Sequence, residues 1–112
     1  KYIKNPKNLF SPHMTIEFES TKLGKKHLKA AMHPYDETVR PQMLKRKDNP
    51  MYYDLLKQFE KISGISALLN TSYNLHGYPI VCNVKDAVST FKKTKIDILQ
   101  LNNFIIIRKN SE

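Results

Sequence analysis

Five consecutive residues with polar side-chain atoms separate two short apolar runs, and this arrangement constrains the fold more than any other feature of the chain. Residues 70–74 read Asn-Thr-Ser-Tyr-Asn, between Ala67-Leu68-Leu69 and Ile80-Val81. Short apolar runs bounded by turn residues predict two buried strands. The polar run is either an ordinary turn, whose side chains bond to nearby backbone, or a loop of converging donors around a ligand beside a strand end.

The first half of the chain predicts short strands joined by polar turns. Residues 14–18 alternate in apolar character and predict a strand, whereas residues 21–26 are polar and predict a loop. We expect a second strand at residues 28–32 and a third at residues 38–44. Pro41 lies inside the third strand and implies a sheet edge or a kink, because proline donates no backbone hydrogen bond.

A helix is predicted from residue 50 to the residues before Gly64. Asn49 is a good N-cap, Pro50 suits the first helical position, and Gly64 suits the C-terminal end. Five large apolar residues recur at helical spacing and are expected to form one buried face: Tyr52, Leu55, Leu56, Phe59 and Ile62.

A second helix and a hairpin are predicted in the last third of the chain. Asn83 with Asp86 resembles a capping box, with Asp in place of the usual Glu. Residues 98–101 and 104–107 are expected to pair as strands across a two-residue Asn102-Asn103 turn. The buried face of the second helix is expected to consist of Val84, Ala87, Val88 and Phe91.

Charge is the second informative property of the sequence. Lysine and arginine outnumber aspartate and glutamate by 19 to 10, which gives a net charge of +9. A basic surface concentrates anions, and the candidate partners are phosphorylated small molecules, nucleic acid or anionic lipid. The alternative is a solvated lysine-rich surface without a specific ligand.

Several classes of site are disfavoured by what the residues offer. The single cysteine, Cys82, cannot form an internal disulfide and is compatible with a reducing cytoplasm, where we expect the protein to lie. No apolar run approaches the roughly 20 residues of a membrane-spanning helix, and no pair of the four histidines has metal-motif spacing. With three glycines, no Gly-rich phosphate loop can be built. We therefore expect no metal site and no membrane partner.

The motifs taken together resemble the C-terminal domain of the carbamoyltransferases that modify antibiotics and nodulation factors, the family of NodU and of the cephamycin and tobramycin enzymes. The resemblance covers about residues 11–109. It is carried by Asn70-Thr71-Ser72-Tyr73-Asn74, Gly77-Tyr78-Pro79-Ile80-Val81, Asp86-Ala87 with Phe91, the His33–Gln42 segment with its Thr38-Val39-Arg40-Pro41-Gln42 end, and Ser11-Pro12-His13-Met14.

The resemblance implies roles for particular residues, without securely assigning a catalytic one. Arg40 corresponds to an arginine that family members use for substrate phosphate, and a guanidinium offers a rigid fork of donors to phosphate oxygens. Ser72 corresponds to a position implicated in nucleotide or carbamoyl phosphate binding, with Asn70 and Thr71 beside it. A wider set of candidates comprises His33, Gln42, Asn74 and His76. Either histidine is a proton carrier or phosphate donor, or a structural group, and Asn74 is expected to hold the loop in shape.

The fold class implied is α/β (α+β): part of a YrdC-like twisted mixed sheet, largely antiparallel, with two main helices. The function implied is ATP-dependent O-carbamoyl transfer. Carbamoyl phosphate and ATP, with Mg²⁺, form a carbamoyl adenylate here, and a partner domain passes the carbamoyl group to a hydroxyl acceptor. That partner is the N-terminal domain of the actin-like ATPase type, and iron is expected only there.

We expect residues 1–112 to be one domain, with residues 1–12 as a lead-in segment, and to be a fragment of a longer two-domain enzyme that is inactive alone. A truncated sheet would expose a strand edge that a homodimer could cover. The family's usual glutamate after Gly77 is Tyr78 here, so any magnesium-binding or basic role of that glutamate is missing. Two alternatives stay open: a basic RNA-binding YrdC-like module and a non-catalytic interaction domain.

Overall fold

The computed structural model describes residues 1–109, which form three α-helices and two small antiparallel sheets. In chain order the elements are β1 (Phe18–Glu19), α1 (Lys22–His27), β2 (Thr38–Val39), α2 (Pro50–Ser63), α3 (Val84–Lys93), β3 (Ile98–Leu101) and β4 (Phe104–Ile107). The chain divides into two compact units, residues 1–69 and the residues from Asn70 onward. The predicted α+β class, with antiparallel strands and two main helices, is confirmed.

The first unit contains a short sheet that the beginning of the chain extends. Phe18 pairs with Val39 across β1 and β2, and both side chains are buried. Ile3 forms an isolated antiparallel bridge with Ser20, and the Thr21 amide donates to the Tyr2 carbonyl at 2.9 Å. Tyr2 is itself buried, so the first residues are part of the packed structure of this unit.

Both longer strands predicted in this unit are mostly absent. Of residues 14–18 only Phe18 is in β1, and of residues 38–44 only the first two are in β2. Pro41 has no amide hydrogen to donate, which ends the ladder. The chain is held beyond it by the Ser11 hydroxyl, which donates to the Pro41 carbonyl at 3.0 Å.

The polar segment predicted as a loop is the short helix α1, and the strand predicted at residues 28–32 is wrong. The Thr21 hydroxyl accepts from the Gly24 amide at 3.1 Å and caps the helix. Residues Lys29–Ala31 then form a 3₁₀ turn, because the adjacent alanines 30 and 31 favour helical backbone over strand.

Helix α2 begins and ends where the sequence predicts, but its apolar stripe is not a core. The Asn49 side chain accepts from the Tyr52 amide at 3.0 Å, and Gly64 closes the helix with φ at 74°. Leu55 is 50% exposed and Ile62 is 87% exposed. Tyr52 is exposed as well, and Leu56 and Phe59 are half-buried.

The partly covered side of α2 differs from the predicted stripe and consists of Tyr53, Leu56, Phe59 and Glu60, all half-buried. The Glu60 carboxylate accepts from Lys1 Nζ at 2.9 Å and from Lys57 Nζ at 2.6 Å. Near the start of the helix, the Arg46 guanidinium pairs with Asp54. Periodicity predicts which side chains share a face, whereas the partners available within the unit decide which face is covered.

The second unit has its own small core, made by α3 and the hairpin. Ala87, Phe91 and Leu99 are buried together, and four half-buried side chains pack against them: Tyr73, Val81, Leu101 and Ile106. The Asn83 side chain caps α3 by accepting from the Asp86 amide at 2.9 Å. Asp86 accepts in return from the Cys82 amide at 3.4 Å instead of the Asn83 amide, so the capping box is shifted by one residue. Val84, predicted as buried, is 65% exposed.

The hairpin is confirmed residue for residue. Leu101 pairs with Phe104 across the Asn102-Asn103 turn, and Ile98 pairs with Ile107 at the other end. Asn102 has φ at 51°, a left-handed conformation that asparagine tolerates better than most residues.

The two buried strands predicted around residues 70–74 are wrong. Leu69 is 59% exposed, Ile80 is 63% exposed, and neither lies in a strand. Pro79 cannot donate to a ladder, and the Val81 amide makes a single backbone bond, to the Tyr73 carbonyl at 3.1 Å. Apolar runs of two or three residues do not specify a strand when their backbone lacks a neighbour to pair with.

Candidate functional site

Arg40 lies immediately after β2 on an exposed face of the first unit. Val39 is buried, whereas Thr38 is half-buried and Arg40 is exposed. Because successive side chains of an extended chain point to opposite sides, Thr38 and Arg40 share a face. Among residues 1–109, the side chains of Arg40 and of the nearby exposed Gln42 make no hydrogen bond and no ion pair.

The loop before β2 is closed by a set of short hydrogen bonds. Asp36 Oδ1 accepts from the Thr38 amide at 3.0 Å and from the Thr38 hydroxyl at 2.7 Å. His33 Nδ1 lies 3.2 Å from the same oxygen, and the His33 amide donates to the Thr38 carbonyl at 2.9 Å. The Thr38 hydroxyl, its amide and then His33 hold the pKa of Asp36 below its ordinary value. Asp36 is therefore a carboxylate at neutral pH.

The polar run at residues 70–74 contains two kinds of side chain: those that make hydrogen bonds that shape the loop, and those that are exposed on its surface. The Tyr73 hydroxyl donates to the Ala87 carbonyl at 2.9 Å, and desolvation raises the pKa of Tyr73. The Asn74 side chain donates to the Tyr78 carbonyl at 2.7 Å and to the Leu75 carbonyl at 3.1 Å. Asn74 thus holds the turn around Gly77, whose φ is 80°.

The presented residues are Asn70, Thr71 and Ser72, whose side chains are all exposed. Within the described part of the chain, the side chains of Thr71 and Ser72 make no hydrogen bond. His76 is exposed in the same way, at the turn. The Tyr78 side chain is 64% exposed, whereas its backbone belongs to the turn, because the Tyr78 amide donates to the Leu75 carbonyl at 2.9 Å.

The predicted site residues fall into two groups, one in each unit. His33, Arg40 and Gln42 belong to the first unit, and the Asn70–His76 loop belongs to the second. Within the first unit, the His33 amide and the Asp36 carboxylate both hydrogen-bond to Thr38, two residues before Arg40. Within the second unit, Thr71 and Ser72 are adjacent and share one loop.

A cleft of about 370 Å³ in the first unit was not predicted from the sequence. Lys4 pairs with Glu19 at 2.6 Å across it, and Lys25 pairs with Glu37. Lys22 makes no ion pair within residues 1–109. The residues that line the cleft are Lys4, Glu19, Ser20, Lys22, Lys25, Asp36 and Glu37. Only the overall basic balance could have pointed to these lysines, since the segments that meet here are far apart in the sequence.

The described residues offer no other prominent chemistry. Residues 1–109 contain no group of three histidine, cysteine, aspartate or glutamate side chains placed to hold a metal ion. Cys82 is a free, exposed thiol. In the same residues, no helix combines the length and the apolar character needed to cross a lipid bilayer.

Comparison with known proteins gives a consistent result along the chain. A family model described as the carbamoyltransferase C-terminus matches residues 1–108. An uncharacterized protein of Methanocaldococcus jannaschii is 42% identical over 105 residues, which are 94% of this chain and 20% of that protein. Nodulation protein NolO of Bradyrhizobium diazoefficiens is 40% identical over 66% of this chain and 14% of its own length.

Nodulation protein NolNO of Sinorhizobium fredii is 37% identical over 88 residues, which are 79% of this chain and 13% of that protein. The chain therefore spans a fifth or less of the length of the relatives named here.

Proposed function

The chain belongs to the carbamoyltransferase C-terminus family, and from that premise we propose that it binds the phosphorylated substrates of an O-carbamoyltransferase. The ligands are carbamoyl phosphate and ATP, with Mg²⁺ carried on the ATP phosphates. Arg40 and the Asn70–Ser72 segment are the proposed contacts. In the longer protein, carbamoyl phosphate and water give carbamate and phosphate, and the carbamate displaces pyrophosphate from the α-phosphorus of ATP. The carbamoyl adenylate so formed passes to another domain, which transfers the carbamoyl group to a hydroxyl acceptor and releases AMP.

The observation that carries the proposal is that some polar side chains of the matched motifs are hydrogen-bonded within their loops, whereas others are exposed and make no hydrogen bond. Side chains that build the loops, such as Asn74 and Asp36, are engaged in hydrogen bonds. Arg40, Thr71 and Ser72 are exposed and unengaged among residues 1–109. In each unit taken by itself, exposed donors whose own hydrogen bonds are unmade suit an anionic ligand.

Electrostatics supports the same ligand class. Carbamoyl phosphate and ATP are both polyanions, and bringing them together requires cations that screen their repulsion and stabilise charge on the transferring groups. The net charge of +9 attracts such ligands over a long range. Arg40 adds a rigid fork of donors that matches the geometry of phosphate oxygens.

The other members of the proposed assembly lie outside this chain. The domain that receives the intermediate is an N-terminal domain of the actin-like ATPase type, and iron belongs to that domain. Since ATP is a cytoplasmic substrate, the proposal places the protein in the cytoplasm. We also propose that this chain alone does not catalyse carbamoyl transfer, and a steady-state carbamoylation assay that detects turnover by it would disprove this.

An amide NMR titration tests the binding proposal directly. The chain is titrated with carbamoyl phosphate and separately with Mg-ATP, with sulfate at matched ionic strength as the reference anion. We expect saturable shifts at Arg40 and at residues 70–76 that sulfate does not produce. Arg40→Gln should weaken binding about tenfold or more, because a hydrogen bond between charged groups contributes about 1.5–3 kcal/mol.

Two further variants sharpen the result. Arg40→Lys keeps the charge without the fork and should lie between wild type and Arg40→Gln. Arg46→Gln removes one positive charge from an arginine that pairs with Asp54 and should leave affinity unchanged. Shifts spread evenly over the lysines, equal in sulfate and insensitive to Arg40→Gln, would leave only a non-specific basic surface. Micromolar binding of duplex RNA with a steep salt dependence would favour the RNA-binding alternative.

A further inference from the structure

The hairpin of the second unit is apolar on both of its faces. One face packs on Ala87 and Phe91 in the core of the unit. Because side chains alternate along a strand, the opposite face carries Ile98, Ile105 and Ile107. Each of these isoleucines is exposed over more than half of its surface, and Ile98 pairs with Ile107 across the hairpin. An antiparallel sheet with one solvated face normally carries polar residues there, so we expect this face to be covered.

The backbone of β4 is unpaired along its outer edge. Just beyond the ladder, the Arg108 amide donates to the Asp97 carbonyl at 2.9 Å. Since bonded and non-bonded residue pairs alternate in an antiparallel ladder, Ile105 and Ile107 turn their amides and carbonyls away from β3. Among residues 1–109, β4 pairs with no strand other than β3, and no other backbone hydrogen bond involves these two residues.

The sequence of β4 contains nothing that prevents pairing at this edge. Exposed edge strands are normally protected by a charged residue, a proline or a bulge. Residues 104–107 read Phe-Ile-Ile-Ile, and each of them has a single partner residue in β3. An uncharged, regular and apolar edge of this kind is a template for a further strand.

We propose that the free edge of β4 pairs with a strand from the part of the longer polypeptide that lies outside the matched residues. The hairpin is then two strands of a wider sheet, and the Ile98, Ile105 and Ile107 face packs against the same part of the polypeptide. This surface does not involve the ligands proposed above, so its failure would leave the binding proposal unchanged.

The size of the edge favours this occupant over a second copy of the chain. The relatives named above have at least four fifths of their length outside the matched residues. A strand on the same polypeptide binds at a high effective concentration, so a short edge is sufficient. Two separate copies need a stable interface of about 800 Å² per partner, whereas a four-residue strand is only about 13 Å long.

The charges around the hairpin favour the same occupant. Between residues 92 and 109, Asp97 is the one acidic residue. The cationic residues there are Lys92, Lys93, Lys95, Arg108 and Lys109. Two copies of this region repel each other, whereas acidic residues next to an incoming strand are attracted to it. Pairing of two copies would also place their isoleucines side by side on one face and leave that face uncovered.

The experiment measures hydrogen exchange of the Ile105 and Ile107 amides in the 112-residue chain and in the longer protein that contains it. In the longer protein, both amides should exchange at least about a hundredfold more slowly, because a paired strand holds them. Gln100 is the reference residue, since its amide turns away from β4 by the same alternation. The Gln100 amide should exchange at similar rates in the two proteins.

Two proline variants test the edge itself. Ile105→Pro removes an amide that the hairpin does not use, and proline is tolerated where an edge strand faces solvent. The chain alone should keep the amide shifts of β3, whereas the longer protein should lose the protection of Ile107. Gln100→Pro is the matched control on the opposite edge of the hairpin, and it should leave that protection in place. The exchange comparison in wild type does not depend on either variant.

Three results would overturn the proposal. The first is equal exchange of Ile105 and Ile107 in the chain and in the longer protein. The second is a dimer of the isolated chain in sedimentation equilibrium with both amides protected, because a second copy then occupies the edge. The third is protection of Gln100 instead of Ile105 and Ile107, which would assign the pairing to the edge of β3.

Discussion

The guanidinium carbon of Arg108 lies 4.8 Å from the centre of the Phe91 ring, stacked on the main buried side chain of the second unit. The same guanidinium donates to the Phe91 carbonyl and, at 2.7 Å, to the Thr94 carbonyl, while Nε donates to the Ile96 carbonyl at 3.2 Å. Arg108 therefore covers the C-terminal end of α3, where helix carbonyls lack intrahelical partners. One side chain connects the end of the hairpin to both the core and the helix.

Replacing Arg108 by alanine should destabilise the second unit by about 1–3 kcal/mol, from the lost charge-assisted hydrogen bonds and the lost ring contact. Amide hydrogen exchange of α3 and of the hairpin measures this change. Arg108→Lys should recover only part of the loss, because an ammonium group cannot reach three carbonyls at once. Arg46→Ala, which breaks an exposed pair with Asp54, is the control and should cost at most about 1 kcal/mol. Equal effects of the two alanine variants would contradict this role for Arg108.

The exposed stripe of α2 should tolerate polar substitution. Ile62, at 87% exposure, can become serine with a change within about 0.5 kcal/mol, as for surface positions in general. Phe91→Ala in the core of the second unit should cost about 3–5 kcal/mol. Urea denaturation followed by circular dichroism compares the two variants. A loss from Ile62→Ser comparable to that from Phe91→Ala would show that α2 is covered in solution.

Gly24 should not accept a methyl group. A Cβ added there would lie 2.2 Å from the Tyr2 carbonyl oxygen, which is backbone and cannot rotate away. Gly24→Ala should therefore displace the first residues from α1 and destabilise the first unit by about 1–3 kcal/mol. Gly64→Asn is the comparison, since Gly64 has φ at 74° and open space around it, and asparagine tolerates that conformation. In thermal unfolding at neutral pH, the midpoint temperature of Gly24→Ala should be clearly lower than that of Gly64→Asn.

Acid should weaken the anchoring of α2 through Glu60. Hydrogen bonds from Lys1 and Lys57 lower the pKa of Glu60 from 4.5 to about 2. A carboxyl group with a lowered pKa in the folded state contributes stability above its unfolded pKa, and that stability is lost as the pH falls toward 2. Between pH 5 and pH 2, the free energy of unfolding should fall more for wild type than for Glu60→Gln. Above pH 6, the plots of this free energy against pH should run parallel for the two proteins. Parallel curves over the whole range would exclude this linkage.

The features that were predicted correctly from the sequence are those that depend on interactions between residues close together in the chain. The caps of α2 at Asn49 and Gly64, and the hairpin turn at Asn102, depend on residues within four positions of each other. They form where the sequence predicts them. The shaping role of Asn74 is equally local, since its partners are Leu75 and Tyr78. Short-range hydrogen bonds are specified by the residues that make them.

The errors concern strands and burial, which depend on distant partners. Leu69 and Ile80 are apolar, yet no neighbouring strand pairs with them among residues 1–109. Ile62 is on the predicted face of α2, yet the contact that anchors the helix is made by Glu60 with Lys1, 59 residues away. The cleft between Lys4, Lys25 and their carboxylates was missed for the same reason.

The sequence by itself determined both ends of α2, the start of α3, the hairpin and the family. Tertiary structure alone decided that Glu60 of α2 pairs with Lys1 at the beginning of the chain. It alone also decided that the His33 amide donates to the Thr38 carbonyl, two residues before Arg40. The physical reason is that caps and turns are satisfied by near neighbours, whereas burial and the meeting of side chains depend on which distant segments pack together.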